Sequence, residues 1–216
     1  MRTRILDAAR ELILEQGVEA VSMRKIAERI EYSPTAIYQH FADKEALLHA
    51  MCDRDFASLN ERLRERTADV TDPVEGIVLA GAGYVRFALE YPCHFRVMFM
   101  TPEVQPKEMT EEERKKQGHP EQDGYAGFKQ LVAVAMEAGR FRPELDDVEV
   151  NTQVLWAAVH GVASIHVAKK DCPWITLTPI EEFTRQAMTA ALRGMLRDPQ
   201  EVDRVFARVA EKGALL

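Results

Sequence analysis

The sequence predicts an all-α protein, with an N-terminal three-helix helix-turn-helix head joined to a helical-bundle body. Three observations carry that expectation. Apolar residues recur at helical spacing in one segment after another, and most of these segments open on Ser, Asp or Pro and stop at Gly or Pro. No run alternates apolar and polar residues as a half-buried strand does, and there is no internal repeat.

The first helix is expected over 3–16, with Ile5, Leu6, Ala9, Leu12 and Ile13 on its buried side and Gly17 as its stop. Ser22 precedes the run Ile26, Ala27, Ile30, where its hydroxyl can accept from a free first-turn amide, so it reads as an N-cap. Ser33-Pro34 repeats the device, with proline at the first helical position. With only two or three residues between them, these two helices must cross sharply, packing Ile26, Ile30, Ile37 and Phe41 at the elbow. The outer face of the second carries Thr35, Ala36, Tyr38, Gln39 and His40, none of them acidic, which suits donation to phosphates and reading of base edges.

Asp43 then caps a long helix in which Leu47, Leu48, Met51, Phe56, Leu59 and Leu63 keep helical spacing to about residue 66. Asp72-Pro73 restarts a helix over 76–90, and Tyr91-Pro92 ends it, because the residue before proline resists the helical region. Residues 94–100 form a short apolar helix or turn. Residues 101–124 hold Pro102, Pro106 and Pro120 with Glu111, Glu112, Glu113, Lys115 and Lys116, so they lack an apolar stripe and are expected as a mobile loop with room for one solvated helical turn. Helices follow over 122–139, 146–170 and 178–197. Asp198-Pro199 begins the last, with Val202, Val205, Phe206 and Val209 on one face.

Composition narrows the function classes. A net charge of -7 argues against coating nucleic acid by bulk electrostatics, and residues 1–48 hold seven Lys and Arg against eight Asp and Glu. DNA binding must therefore rest on placement: Asp7, Glu11 and Glu15 recur along the outer side of the first helix, whereas Arg2, Arg4, Arg24, Lys25 and Lys44 stand at helix starts, where a cation can share a phosphate with free amides. Cys52, Cys93 and Cys172 are scattered, which suits reduced structural thiols better than a disulfide framework or zinc site. The most apolar run, 154–168, contains His160, Ser164 and His166 and falls short of the roughly 20 residues a bilayer span needs. Met1 leads straight into a polar helix, so no signal peptide is expected, and the protein is expected to be soluble and cytoplasmic without membrane association. His94, His119, His160 and His166 lack metal-ligand spacing, and no Gly-rich phosphate loop or nucleophile elbow is present. No catalytic residue, metal or cofactor is expected; the chain is not read as an enzyme.

With these elements in place, the first 50 residues resemble the TetR family of one-component transcriptional regulators. The match is carried by Ile5-Leu6-Asp7-Ala8-Ala9, Gly17, Ser22-Met23-Arg24-Lys25-Ile26-Ala27, the run Ser33-Pro34-Thr35-Ala36-Ile37-Tyr38-Gln39-His40-Phe41, and Asp43-Lys44-Glu45-Ala46-Leu47-Leu48. The resemblance implies a helix-turn-helix DNA-binding domain over 1–48 and a ligand-binding and dimerisation domain over 49–216. It also implies a homodimer on double-stranded operator DNA, one recognition helix per subunit in successive major grooves, acting as a ligand-responsive repressor. Carried over, Thr35, Ala36 and Gln39 would face bases, while Ser22, Arg24, Tyr38, His40 and Lys44 would hold phosphates. The family commonly has glycine in the turn, and this chain has Glu31-Tyr32; a left-handed Glu31 would carry roughly 1–2 kcal/mol of strain.

The body resembles, more loosely, the TetR subgroup with a WHG domain, through Trp156, His160 and Gly161 and through Pro92 with the run His94 to Phe99. Trp156, His160, Ala163 and Val167 form one stripe of their helix, and Val150, Val154, Ala157, Gly161 and Ile165 form another. A helix apolar on two sides needs two partners, its own domain and a second subunit. Ala187, Ala190, Ala191 and Gly194 give the next helix a small-residue face suited to the same interface. A largely apolar effector, of unknown identity, would lie among Tyr84, Phe87, Tyr91, Phe95, Met98, Met136 and Trp156 with His160 as its polar contact, although the same residues also read as ordinary core. The alternative function is a helical small-molecule-binding or adaptor protein whose TetR-like head has lost specific DNA binding.

Overall fold

A computed structural model describes residues 1–104 and 109–213 of the chain. Among the described residues there are eleven α-helices: α1 (Arg2–Gln16), α2 (Met23–Arg29), α3 (Pro34–Tyr38), α4 (Lys44–Thr67), α5 (Pro73–Glu90), α6 (Pro92–Met100), α7 (Glu111–Lys116), α8 (Gly124–Glu137), α9 (Val148–Lys169), α10 (Ile180–Met195) and α11 (Glu201–Glu211). A single 3-10 turn, Pro102–Val104, follows α6, and the only β-type pairing among the described residues is an isolated bridge between Phe141 and Leu196.

The start signals explain most of these boundaries. Asp72 accepts from the Val74 amide at 3.0 Å, which lets α5 begin at Pro73 rather than at 76. Asp123 caps α8 through the Tyr125 and Ala126 amides, and Asp147 caps α9 through those of Glu149 and Val150. Within the stretch expected as a mobile loop, Thr110 and Glu113 close a capping box: the Thr110 amide donates to Glu113 Oε2 at 2.7 Å and the Glu113 amide to Thr110 Oγ1 at 3.2 Å. That box starts α7, and His49 Nε2 lies 2.6 Å from Glu113 Oε1, tying α7 to α4. Pro106 of the same stretch lies outside the described residues.

The chain forms two compact units. The first comprises Met1–Ser58 and Tyr91–Lys115, the second Leu59–Glu90 and Lys116–Leu216. The first therefore takes in more than residues 1–48, adding the opening turns of α4 and all of α6. Its core packs Ile5, Leu6, Ala9, Ile26, Ile37, Phe41, Leu47 and Met51, with Val97 of α6 and Val104 just beyond it. Inside this core sits an ion pair. Arg10 of α1 and Asp55 of α4 are 3% and 2% exposed, and the guanidinium donates through Nε and Nη2 to both carboxylate oxygens. A fork of that kind satisfies both charges at once, which a buried pair requires. His94 of α6 borders it, with Nε2 4.0 Å from Asp55 Oδ1; burial first, and the Arg10 charge second, hold its pKa below the ordinary histidine value.

The second unit is built around α5. Val74, Ile77, Val78, Val85 and Ala88 are all buried, and α5 packs against α8, α9 and α11. On α5 itself Gly81 permits the closest approach: a Cβ there would lie 2.7 Å from Met188 Cε of α10 and 3.1 Å from Val159 Cγ1 of α9. At the N-terminus of α5, Glu75 is buried and accepts from Lys212 Nζ at 2.5 Å and Arg208 Nε at 3.1 Å, fastening α11 to the unit.

Two outcomes are expected. Asp55→Ala leaves the buried Arg10 charge with only Asp7, 3.0 Å from Nη1, as counter-ion and lowers unfolding free energy by about 3 kcal/mol, the low end for a broken buried pair, in a denaturant titration. The Lys212 hydrogen bond, ahead of the Arg208 contacts, holds the Glu75 carboxyl below the usual carboxylate range. Its contribution is therefore present above the unfolded-state value of about 4.3 and disappears as pH falls through the lower folded-state value. Glu75→Gln is thus less stable than the parent at pH 7, and the two unfolding midpoints converge as pH drops below about 4.

Candidate nucleic-acid interface

Both short helices of the head are capped as their serines predict. Ser22 Oγ accepts from the Lys25 amide and Ser33 Oγ from the Ala36 amide, each at 3.3 Å, with Pro34 at the first position of α3. Ile26 and Ile37 are fully buried at the elbow, with Ile30 and Phe41 close behind. The turn between them ends α2 in a Schellman arrangement: the Tyr32 amide donates to the Ala27 carbonyl at 2.9 Å and the Glu31 amide to that of Glu28 at 3.3 Å. Glu31 supplies the left-handed residue, at φ 61°.

This geometry leaves Thr35, Tyr38 and Gln39 exposed, with Ala36 and His40 half-buried beside them. Two arginines of α1 flank the same helix-turn-helix. Arg2 donates to the His40 carbonyl at 3.2 Å with its guanidinium carbon 4.3 Å from the Phe41 ring centroid, and Arg4 donates to the Ile30 carbonyl at 3.5 Å with its own 5.4 Å from that of Tyr32. Sequence reasoning put both at a helix start but not against the ends of α2 and α3, because those contacts form only when α1 folds back on the pair.

The remaining cations are more engaged than expected. Arg24 Nε donates to Glu28 Oε1 at 2.8 Å on the surface, which raises the Arg24 pKa above its ordinary value. Lys44 Nζ donates to the Val18 carbonyl at 2.5 Å, leaving two of its three donors for other partners. Arg29 binds Glu15 and Glu11 of α1; the hydrogen bond to Arg29 holds the Glu15 carboxyl below its usual range.

In the second unit, Trp156 and His160 come together on α9. Their ring centroids are 5.5 Å apart, Tyr125 stands edge-on to Trp156 at 6.1 Å, and the Tyr84 hydroxyl lies 2.7 Å from His160 Nδ1. Ser164 Oγ lies 3.1 Å from His160 Nε2, so both ring nitrogens have partners, and burial holds the His160 pKa below its ordinary value. Phe87 is buried on α5, and Met136 of α8 accepts from Asn151 Nδ2 through sulfur at 3.4 Å. Tyr91, Phe95 and Met98 belong instead to the first unit, where Phe95 and Met98 are wholly buried and Tyr91 stands edge-on to His94 at 5.3 Å.

Residues 5–51 match the family model described as bacterial regulatory proteins, tetR family, and residues 77–191 match that described as tetracyclin repressor-like, C-terminal domain. The chain belongs to the TetR family. Over 76 residues it is 42% identical to the HTH-type transcriptional regulator UidR of Escherichia coli K12, an alignment covering 35% of each protein, so the chain spans about a third of the length of the curated relatives it matches. Among solved structures it resembles SmeT of Stenotrophomonas maltophilia, the repressor of the multidrug efflux pump SmeDEF, with a TM-score of 0.68 at 22% identity over 92% of this chain and 91% of that one. It also resembles RolR in complex with resorcinol, with a TM-score of 0.57 at 21% identity over 94% and 91%. At these identities the likeness is one of fold.

The TetR-family body also has an uncovered apolar face. On α9, Val150, Val154 and Ile165 are 54%, 47% and 43% exposed, with Ala157 exposed and Gly161 half-buried between them. On α10, Ala190 and Gly194 are exposed and Ala187 and Ala191 half-buried. A Cβ at Gly161 or Gly194 would meet nothing within 4 Å, so neither glycine is there for packing inside its own chain. Among the described residues no three His, Cys, Asp or Glu gather as a metal site, and no helix is long and apolar enough to cross a membrane.

Glu31→Gly relieves the left-handed backbone but adds chain entropy to the unfolded state. It is expected to raise unfolding free energy by roughly 0.5–1 kcal/mol, measured from the urea midpoint at constant slope.

Proposed function

We propose that this TetR-family chain is a sequence-specific DNA-binding repressor that acts as a homodimer and responds to a small-molecule effector. The observation that carries the DNA reading is the outer face of α3, where Thr35, Tyr38 and Gln39 stand exposed on a helix capped by Ser33-Pro34 and seated on a dry elbow. Gln39 presents an amide that can pair with adenine in the major groove, with Thr35 and Ala36 beside it. Ser22, Arg24, Tyr38, His40 and Lys44 serve as phosphate contacts, with Arg24 exchanging or sharing Glu28 on binding. UidR is named a transcriptional regulator and SmeT a repressor, which favours repression here.

The α9 and α10 faces support the homodimer. Ala157, Gly161, Ile165, Ala187, Ala190, Ala191 and Gly194 would let two helices from each copy meet in a four-helix contact. For the effector, the cluster of Tyr84, Tyr125, Trp156 and His160, with Phe87 and Met136 on adjoining helices, suits a largely apolar, aromatic ligand taking one hydrogen bond from the His160 network. Resorcinol, the ligand of RolR, is likewise aromatic, with two hydroxyls for polar contacts. An effector acts by binding one body conformation better than another, and the favoured one presents heads no longer matched to successive grooves.

Selection of bound fragments from genomic DNA, followed by gel shifts on the selected site, tests the proposal. A partly palindromic site with salt-sensitive binding is expected. Gln39→Ala is expected to lose about 1–3 kcal/mol of discrimination at the position it reads, while Tyr38→Ala with Lys44→Ala weakens binding to all sequences and flattens the salt dependence by about one unit, the share of the Lys44 charge. Binding without sequence preference, or none, would leave the adaptor reading in its place, which the near-neutral head and the internal partners of Arg24 and Lys44 would then explain.

A further inference from the structure

The segment joining α9 to α10 carries the most exposed aromatic group described in the chain. Trp174 is 91% exposed and Ile175, next to it, 46%. The segment is not slack chain. The Cys172 amide donates to the Lys169 carbonyl at 3.0 Å and the Ile175 amide to the Cys172 carbonyl at 3.4 Å, so the backbone turns directly off the last turn of α9 and holds Trp174 in a second turn, in which Pro173 fixes its own φ. A large apolar side chain on a stiffened support is poised for contact with little ordering left to do.

Its surroundings say what that contact is. The uncovered apolar row of α9, from Val150 through Ala157 and Gly161 to Ile165 and Ala168, runs towards the end of the helix from which this segment leaves, and α10, into which the segment leads, carries its small-residue face from Ala187 onward. The segment therefore leaves from the end of that apolar row, past the exposed Lys169, Lys170 and Asp171. That surface consists of Val, Ile, Ala and Gly, which allow close helix contact but include no aromatic anchor, whereas stable interfaces concentrate their binding energy in a few anchors, Trp foremost. A buried Trp adds about 150–250 Å² of contact, a substantial share of the roughly 800 Å² per partner that a stable dimer buries.

We infer that Trp174 and Ile175 form a docking arm that seats on a second copy of this chain, anchoring the dimer beyond the α9 and α10 faces. This rests on the homodimer proposed above. The test keeps the two separable. The chain has two tryptophans, Trp156 and Trp174, so Trp156→Phe leaves Trp174 as the sole reporter.

In that background, sedimentation gives the oligomeric state while acrylamide quenching reports access to Trp174. A dimer in which quenching falls at least threefold, and the emission shifts to the blue, relative to the monomeric Gly161→Glu variant, is the expected result. In the otherwise unchanged protein, Trp174→Ser is expected to raise the dimer dissociation constant at least tenfold. In the Gly161→Glu background it should leave the melting temperature unchanged. A dimer in which Trp174 stays as quenchable as in the monomer overturns the arm while leaving the dimer intact, as does an unaltered dissociation constant for Trp174→Ser. A monomer at every concentration overturns both, and protection that appears only on adding phosphatidylglycerol vesicles reassigns the segment to a lipid surface.

Discussion

Everything at the candidate DNA surface depends on the burial of Ile26, Ile37 and Phe41 between α2 and α3. The α3 helix is five residues long, far below the length at which a helix holds together in water by its own hydrogen bonds. Its caps satisfy the first amides, but its axis is set by apolar contacts on the side away from the exposed Thr35, Tyr38 and Gln39. The same contacts oblige the chain to reverse within the turn, and the reversal is what drives Glu31 into the left-handed region. The orientation of the exposed side chains and the strain of the turn thus have one source.

Charge in the head is managed by pairing. The acids of α1 would oppose a polyanion, yet Glu11 and Glu15 are held by Arg29, and Asp7 by Arg10. The exposed Arg2 and Arg4 lean on aromatic rings and carbonyls at the ends of α2 and α3. A domain with almost no basic excess can still present a locally positive surface when its carboxylates are engaged elsewhere and its guanidiniums are placed by packing.

Much of this was legible in the sequence because it is local. Ser22, Ser33-Pro34, Asp43 and Asp72-Pro73 act within three residues of themselves, and a cap reads the same way wherever its helix goes. The two apolar stripes of α9 were legible too: Ala163 and Val167 of one are buried, while Val150, Val154, Ala157 and Ile165 of the other are exposed. What stayed hidden depends on residues distant in the chain. Nothing near Arg10 signals that it will be buried against Asp55, 45 positions on. The capping box of Thr110 and Glu113 was local and readable, but three prolines and a charge run outweighed it, and the anchoring His49 lies 64 positions away. At the effector cluster, spacing placed Trp156 and His160 together on one helix, whereas Tyr125 joins them through the packing of α8 on α9. Tyr91, Phe95 and Met98, grouped with them by aromatic and apolar character alone, belong to the other unit.

The pairing of Arg10 with Asp55 also bears on modularity. Proteins of this architecture invite the exchange of DNA-binding heads between chains, and the sequence suggests a cut near residue 48. That cut would separate a buried cation from its counter-ion and strip away Val97 and Val104. The compact unit that contains the head is larger and discontinuous, running through Ser58 and returning for 91–115. A chimera joined inside α4 before Asp55 inherits an acid chosen by another chain's history, and whether it folds turns on whether that chain also places a carboxylate opposite Arg10.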